Sequence, residues 1–428
     1  MTGLLTTSGS QFQDWSAAYR MFSRLRLDPA RLFAGICCAC LEQLPQSAPV
    51  CISIDDSLLT KTGTKIPGVA WRRDPQGPPF QVNFVRAQRV LQFSALLAIP
   101  NSSAVRGIPI DFIHTPTPPK LSKNATKEEQ EKHRKLSEQL NLSTRACEQF
   151  AQMRATLGSR PVILLSDARF TNERFLKGLS GYREVTLIGR IRQDAKLCFP
   201  PVEQPARGRR RLYGEPCPTP NQIRQDDTIA WQTIPVHAAG ADHRCRIKVV
   251  DNVLWRPAGA QCPLRLIVIA PLAYRPRKGA RLLYRDPAYL ICTNPHLPAQ
   301  QIVQRYFWRW DIEVNFREEK TLLGVGQAQV RNQSAVQAVP AFQVAAYALF
   351  LLAALELSPH DLLPQPKWSR TNAERISTQR LLQHLRYEVW GRGLEVDNFS
   401  GFCPRATSTE KPQIILPSLA SAVFYAQA

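Results

Sequence analysis

Four side chains in one short segment are of the types that phosphodiester chemistry uses. In Gln304-Arg-Tyr-Phe-Trp-Arg-Trp-Asp-Ile-Glu-Val-Asn-Phe-Arg-Glu-Glu-Lys320, the residues Tyr306, Arg309, Glu313 and Lys320 stand at offsets 0, 3, 7 and 14. At about 100° per residue, one α-helix would gather them into roughly a 60° sector. One carboxylate then stands beside an aromatic hydroxyl and two cations. A carboxylate can hold a divalent metal ion and the cations can bind phosphate, so the set suits metal-dependent cleavage of a phosphodiester. Val303, Phe307, Trp310 and Val314 make an apolar stripe next to that sector. The stripe predicts one continuous helix that buries one side and holds its polar edge in a cleft. The competing reading is the solvated face of an ordinary amphipathic helix. Glu318 and Glu319 point roughly 140° and 120° away from Glu313 on a regular helix and are not expected in the set.

Further carboxylates stand at the ends of two apolar runs. Val50-Cys-Ile-Ser-Ile54 leads into Asp55-Asp56-Ser57, and Pro161-Val-Ile-Leu-Leu-Ser166 leads into Asp167. Both runs read as strands of the buried type. In open α/β sheets, ligands bind beyond the carboxyl ends of strands. Two aspartates can therefore converge there, with Glu313 brought to the same edge by its helix. Three hard oxygen ligands suit Mg²⁺ or Mn²⁺ held partly by substrate phosphate, and two such ions can clamp an in-line displacement at phosphorus.

The elements that must position these groups fall into five stretches. Residues 1–47 read as short helices, with Asp28-Pro29 as a cap and first turn, and serve either as a small DNA-contacting segment or as a helical lead-in. Residues 48–194 alternate strands with helices, including a long polar helix from Lys127 to about residue 156. Residues 195–285 are rich in Pro and Gly, lack helical periodicity and read as a β-rich insertion. That insertion carries two basic tracts, Arg207-Gly-Arg-Arg-Arg211 and Arg275-Pro-Arg-Lys278. Residues 286–357 return to a strand, then to the segment with Glu313, then to an apolar run from Ala338 to Leu355. That run is near the minimum length for a membrane span, but Pro340 and Gln343 interrupt it, and a buried core helix is expected. Residues 358–428 read as helical near 373–388 and otherwise irregular.

Composition narrows the partners. The chain has 428 residues and a formal net charge of +21, from 55 Lys+Arg against 34 Asp+Glu. Such an excess favours a polyanion, most often nucleic acid, although charge alone does not separate DNA from RNA or an anionic membrane. The start has neither a basic nor an apolar region of the secretory kind. The 11 cysteines form no regular framework. Cys37 and Cys40 make one CxxC spacing in an apolar helical stretch, where core thiols are expected rather than zinc ligands. A cytoplasmic protein with reduced thiols and no membrane partner is the expectation.

Taken together, these residues resemble the DDE transposases of bacterial insertion sequences, in particular the insertion-sequence-four type. That group is marked by a tyrosine, two residues, an arginine, three residues, a glutamate, six residues and a lysine. Tyr306, Arg309, Glu313 and Lys320 match that spacing without a gap. The similarity extends to Ile54-Asp-Asp-Ser57 and to Leu165-Ser-Asp-Ala-Arg-Phe170, and spans roughly residues 48–335.

The resemblance implies an α/β, RNase H-like catalytic core interrupted by the β insertion. It implies Mg²⁺- or Mn²⁺-dependent strand cleavage and strand transfer at terminal inverted repeats, by a homodimer on DNA at the bacterial nucleoid. In the family the first aspartate precedes Thr or Ser, which points to Asp56, with Asp55 as the alternative. Asp167 and Glu313 would be the second and third ligands. Tyr306, Arg309 and Lys320 would contact phosphates, Arg317 shares their face, and Arg209, Arg210 and Arg211 would bind DNA from the insertion. Trp255, or Trp231, would stack on a flipped base, against a core role for either. Ser57 replaces the more usual Thr. Alternatives are a DNA-binding regulator or disabled relative, and another metal-dependent nuclease.

Overall fold

The computed structural model describes residues 5–425 apart from 7–8, 76, 79, 101, 203–208, 278, 359–360, 367–374, 392–393 and 395–417. Arg207 and Lys278 of the basic tracts, and much of the stretch after 358, lie outside the described residues.

Strands β1 (Val50–Thr60), β2 (Ala70–Arg73), β3 (Phe84–Ala98), β4 (Val105–His114), β5 (Val162–Ser166) and β6 (Val185–Arg190) build one half of a mixed sheet. β1 pairs antiparallel with β3, and β3 with β4, while β1, β5 and β6 run parallel. The order β4-β3-β1-β5-β6, with helices packed on the sheet, is the RNase H-like arrangement. β1 and β5 are central because their sequences allow it. Val50 to Ile54 and all of Val162 to Ser166 are buried, and a strand covered on both faces needs a continuous run of apolar or small residues.

Helices α1 (Ser16–Ser23) and α2 (Pro29–Glu42) precede this sheet. Asp28 caps α2 as its sequence predicts, accepting from the Ala30 N–H. Cys37 and Cys40 lie in the core on α2, and burial pushes the Cys37 thiol up to about 12 and the Cys40 thiol higher. The long polar helix expected from Lys127 is two helices, α3 (Lys127–Gln139) and α4 (Leu142–Leu157). Asn141 divides them, because its side chain accepts from the Ser143 and Thr144 N–H groups and starts a new helix. Helix α5 (Glu173–Leu179) joins β5 to β6.

The stretch from 195 to 285 is strand-rich, as expected. It holds β7 (Leu197–Cys198), β8 (Pro216–Cys217), the short helix α6 (Pro220–Gln225), β9 (Gln232–Ala238), β10 (Ala241–Trp255), β11 (Leu264–Ile269), β12 (Ala273–Tyr274) and β13 (Leu283–Tyr284). It does not stand apart from the core sheet. Strand β14 (Ala288–Cys292) pairs with β6, β11 pairs with β14, and β10 with β11, so the sheet continues edge to edge to 12 strands. Buried Lys248 of β10 fastens α6 to this extension. Its Nζ donates to the carbonyls of Ile223, Arg224 and Asp226 and lies 4.6 Å from the Trp231 ring centroid.

Helices α7 (Ala299–Trp308), α8 (Asp311–Thr321), α9 (Ala335–Ala353), α10 (Thr378–Trp390) and α11 (Ser418–Phe424) complete the described chain. The helical stretch that begins with α9 is long and apolar enough to cross a membrane. In this fold Val344, Ala345, Tyr347, Ala348 and Leu351 of α9 are buried in the main core, with the helix packed on β4 and α2.

Helices α7 and α8 dock by covering edge strands. Gln304 of α7 accepts from the His237 N–H at 2.7 Å and donates to the His237 carbonyl at 2.8 Å, on β9. Asp311 of α8 accepts from the Gly107 N–H, and Asn315 donates to the Gly107 carbonyl at 3.1 Å, on β4. Unpaired backbone groups at a sheet edge are thereby satisfied by side chains. A Cβ at position 107 would lie 2.9 Å from Asp311 Oδ2, so only glycine lets α8 approach this closely. Asp311 also pairs with Arg375, which joins the chain before α10 to the same point.

Candidate active site

The register of β1 against β5 sets Ile54 opposite Ser166. The next residues along are Asp55 and, one step past the strand end, Asp167. The two carboxylates interact. Burial pushes the Asp55 carboxyl up to about 7, the Asp167 charge adds to the rise, and Arg309 opposes it. Asp167 Oδ1 accepts from the backbone N–H groups of Arg169 at 2.9 Å and Phe170 at 3.3 Å, which fixes the loop leaving β5.

Successive residues of a strand point to opposite faces, so Asp55 and Asp56 face different surroundings. Asp55 shares its face with Ser53 and Ser57. Arg309 lies 3.4 Å from Asp55 Oδ2, and Lys320 Nζ donates to Ser57 Oγ at 2.6 Å. Asp56 instead accepts two hydrogen bonds from Arg169 Nη1, at 2.9 and 2.7 Å. Burial raises its carboxyl and the Asp167 charge adds to the rise, while Arg169 and Arg89 hold it down. Asp56, to which the family pattern points as first ligand, therefore sits in an arginine cluster. The residue on the face of Arg309, Glu313 and Lys320 is Asp55.

The expected single helix is broken at Arg309-Trp310. The Arg309 N–H reaches both the Arg305 and Tyr306 carbonyls, and the Ile312 and Glu313 N–H groups bond three residues back rather than four. Arg309 is thus placed at the junction, where its guanidinium meets two carboxylates. Besides Asp55, its Nη2 donates to Glu313 at 2.7 Å, and it lies 5.6 Å from the Tyr306 ring centroid. Burial alone would lower the Arg309 pKa, but Tyr306, Glu313 and Asp55 outweigh it and raise it. Burial also raises the Tyr306 phenol. The apolar stripe is only partly formed, because Val303 is buried and Phe307 packs on the core while Trp310 is 58% exposed.

The buried side of α8 is mixed: Ile312 and Phe316 join the main core, and Asp311, Asn315 and Glu319 are buried beside them. Asn315 donates to Ser94 Oγ at 3.3 Å, and Glu319 lies buried near Gln92. Ser94 and Gln92 of β3 pair with Ser53 and Asp55 of β1, so the polar buried side chains of α8 meet a polar strip of the sheet. Burial pushes Glu319 up to about 8, opposed by Gln92 and the Lys320 charge, so Glu319 is largely neutral at pH 7. The sign follows from linkage. The unfolded chain ionises this group from the ordinary value of 4.5, while the folded chain holds its proton until about 8. Stability is therefore lost as pH rises across that window. Glu319→Gln is expected to match the parent in the acid range and to be increasingly more stable as pH rises through the window, read by urea melts at several pH values.

The remaining predicted DNA contacts are scattered. Arg317 is exposed, with Glu318 3.8 Å away. Arg209, Arg210 and Arg211 are exposed on the loop before β8. Trp255 is half-buried at the end of β10, packed against two core clusters and paired with Leu197. Residues 3–256, more than half of the chain, match the family model of the DDE superfamily endonuclease. The chain belongs to the DDE superfamily of endonucleases. No curated protein sequence matches it closely. The match includes Asp55, Asp56 and Asp167 and ends before the segment with Glu313. DNA is the substrate of such an endonuclease, and these families use divalent metal ions, generally Mg²⁺ or Mn²⁺.

Among the described residues, no three His, Cys, Asp or Glu side chains lie close enough to hold a metal ion by themselves. The donor chemistry of two of them does fit one. Asp55 and Asp167 are hard oxygen donors that lie side by side and repel each other in a desolvated setting, a repulsion that a divalent cation relieves. Glu313 is held beyond Arg309. Sequence reasoning missed Ser57, Arg169 and Arg89 as partners of these groups. The two-residue alternation of β1 held the signal for Ser57, and nothing local held one for Arg89.

Proposed function

We propose that this endonuclease is a transposase. In this reading it binds terminal inverted repeats of its own element, cuts there, and joins the freed 3′-hydroxyl to target DNA as a homodimer in the cytoplasm. The supporting observation is the meeting of the Tyr306–Lys320 segment with the strand ends. Arg309 spans Asp55 and Glu313, and Lys320 reaches Ser57, so the spacing resembling insertion-sequence transposases falls on the carboxylate face.

Asp55 and Asp167, joined by Glu313, would hold Mg²⁺ or Mn²⁺, with two ions the expected number. When bound, such ions activate the attacking water or hydroxyl and stabilise the leaving oxygen. The protein groups do the positioning. Arg309 neutralises Asp55 and Glu313 before substrate arrives, and its planar fork can then turn to a phosphate. Lys320 places a point charge over Ser57, where the backbone next to the cut would pass. Tyr306 walls the site and can donate its hydroxyl, and Arg317 adds an exposed cation. Arg209, Arg210 and Arg211 would meet more distant phosphates.

The test is a cleavage assay on a plasmid carrying the gene with its flanking DNA. Cuts should appear at paired inverted repeats, disappear in EDTA, and fall by ~10²-fold or more in Glu313→Gln. Scattered metal-dependent cuts would make it a nuclease without end recognition and would sink the transposase reading.

A further inference from the structure

A cavity of about 520 Å³ is lined by Arg169, the arginine paired with Asp56. Arg89, Arg169 and Arg174 line it, together with Ser137, Asn141 and Ser143. Arg72 reaches the rim, with its Nη2 3.4 Å from Thr117 Oγ1. These groups come from β2, β3, the loop after β5, the start of α5 and the α3–α4 junction, so separate parts of the fold converge on one space.

Its charge is unbalanced. Asp56 serves Arg169, and Glu138 lies 3.5 Å from Arg174. Arg72, Arg89 and Arg169 repel one another, and among the described residues Asp56 is the counter-charge that Arg72 and Arg89 share with Arg169. Four guanidiniums thus stand against two carboxylates. Such a cluster gains from an anion, and planar forks with hydroxyl and amide neighbours match the oxygens of a phosphate. Arg174 also touches Thr144 Oγ1 at 3.0 Å, which holds it toward the start of α4.

Its location selects the source of the phosphate. Arg169 is two residues from Asp167, and Asp56 adjoins Asp55. A strand with its reacting phosphate at Asp55 and Asp167 must leave that pair on one side, and this cavity is the cationic ground on the face away from α8. We propose that the cavity holds a backbone phosphate of the DNA strand that runs past the Asp55–Asp167 pair. This rests on DNA being the substrate. It gives Asp56 a positioning task, holding Arg169 at the cavity.

The test uses the full chain in EDTA, with fluorescent duplex and single-stranded DNA titrated at several salt concentrations. Arg174→Gln is the main variant because its side chain is exposed, and Arg89→Gln is the second. Arg183→Gln, an exposed site before β6 at the opposite end of the parallel strands, removes the same charge as a control. Both cavity variants should bind more weakly and lose about 0.7–0.9 from the slope of log K against log salt, with Arg183→Gln like the parent. Equal slopes for all four proteins would overturn the inference. So would inorganic phosphate raising the melting temperature of the parent but not of Arg174→Gln while DNA slopes stay equal, because the cavity would then serve a free phosphate. If the parent itself bound no DNA at any salt, the broader DNA reading would fail instead.

Discussion

Asp55→Asn is expected to abolish metal-dependent DNA cleavage, by ~10³-fold or more, whereas Asp56→Asn should leave a reduced but measurable enzyme, down ~10- to 100-fold. The two residues are neighbours and chemically identical, so any difference comes from where each side chain points. Asp55 faces Asp167, Arg309 and the helix with Glu313. Asp56 also senses the Asp167 charge, but it is paired with Arg169 and lies beside Arg89, away from Arg309. Removing the Asp55 charge would take one oxygen donor from the pair that suits a divalent ion. Removing the Asp56 charge would loosen Arg169 and leave that pair intact. Single-turnover cleavage rates with Mg²⁺, compared with EDTA blanks, separate the cases. A dead Asp56→Asn beside an active Asp55→Asn would return the first ligand position to Asp56.

Asp311→Ala is expected to cost ~3–5 kcal/mol of stability, the scale for removing one partner of a buried ion pair. Asp311 is 6% exposed and serves two donors at once, the Gly107 N–H and Arg375. Its loss leaves an uncapped strand edge and a poorly hydrated guanidinium, and Arg106 nearby then has one counter-charge fewer. Asp311→Asn keeps an acceptor for Gly107 and should cost less. Urea denaturation measures both. A loss below about 1 kcal/mol for Asp311→Ala would mean that α8 is held on β4 by its apolar contacts alone.

The strand ends at Asp55 and Asp167 were legible because a buried central strand must be written as an unbroken apolar or small run, and such a run stops where the carboxylates start. The grouping of Arg309, Glu313 and Lys320 was legible from helical spacing, even though the helix breaks at Arg309-Trp310. The choice between Asp55 and Asp56 was not legible. It depends on which face of β1 receives α8, and that contact comes from residues more than 250 positions away. The joining of residues 195–285 to the core sheet was hidden for the same reason, since β14 meets β6 across about a hundred residues. The split at Asn141 was local and legible in principle, because Asn is a favoured N-cap and can start a new helix.

That late pairing of β14 has a consequence on the ribosome. β6 ends at Arg190, and the strand that closes its outer side does not begin until Ala288. At about 5–20 residues per second, the nascent chain carries the β6 edge unpaired for roughly 5–20 seconds. During that time Asp55 and Asp167 already exist, but the strand beside them is open and Glu313 has not been made. The residues that close the sheet and those that complete the carboxylate set leave the ribosome almost together. A prematurely ended chain would therefore be an open-edged, aggregation-prone fragment rather than a loose nuclease.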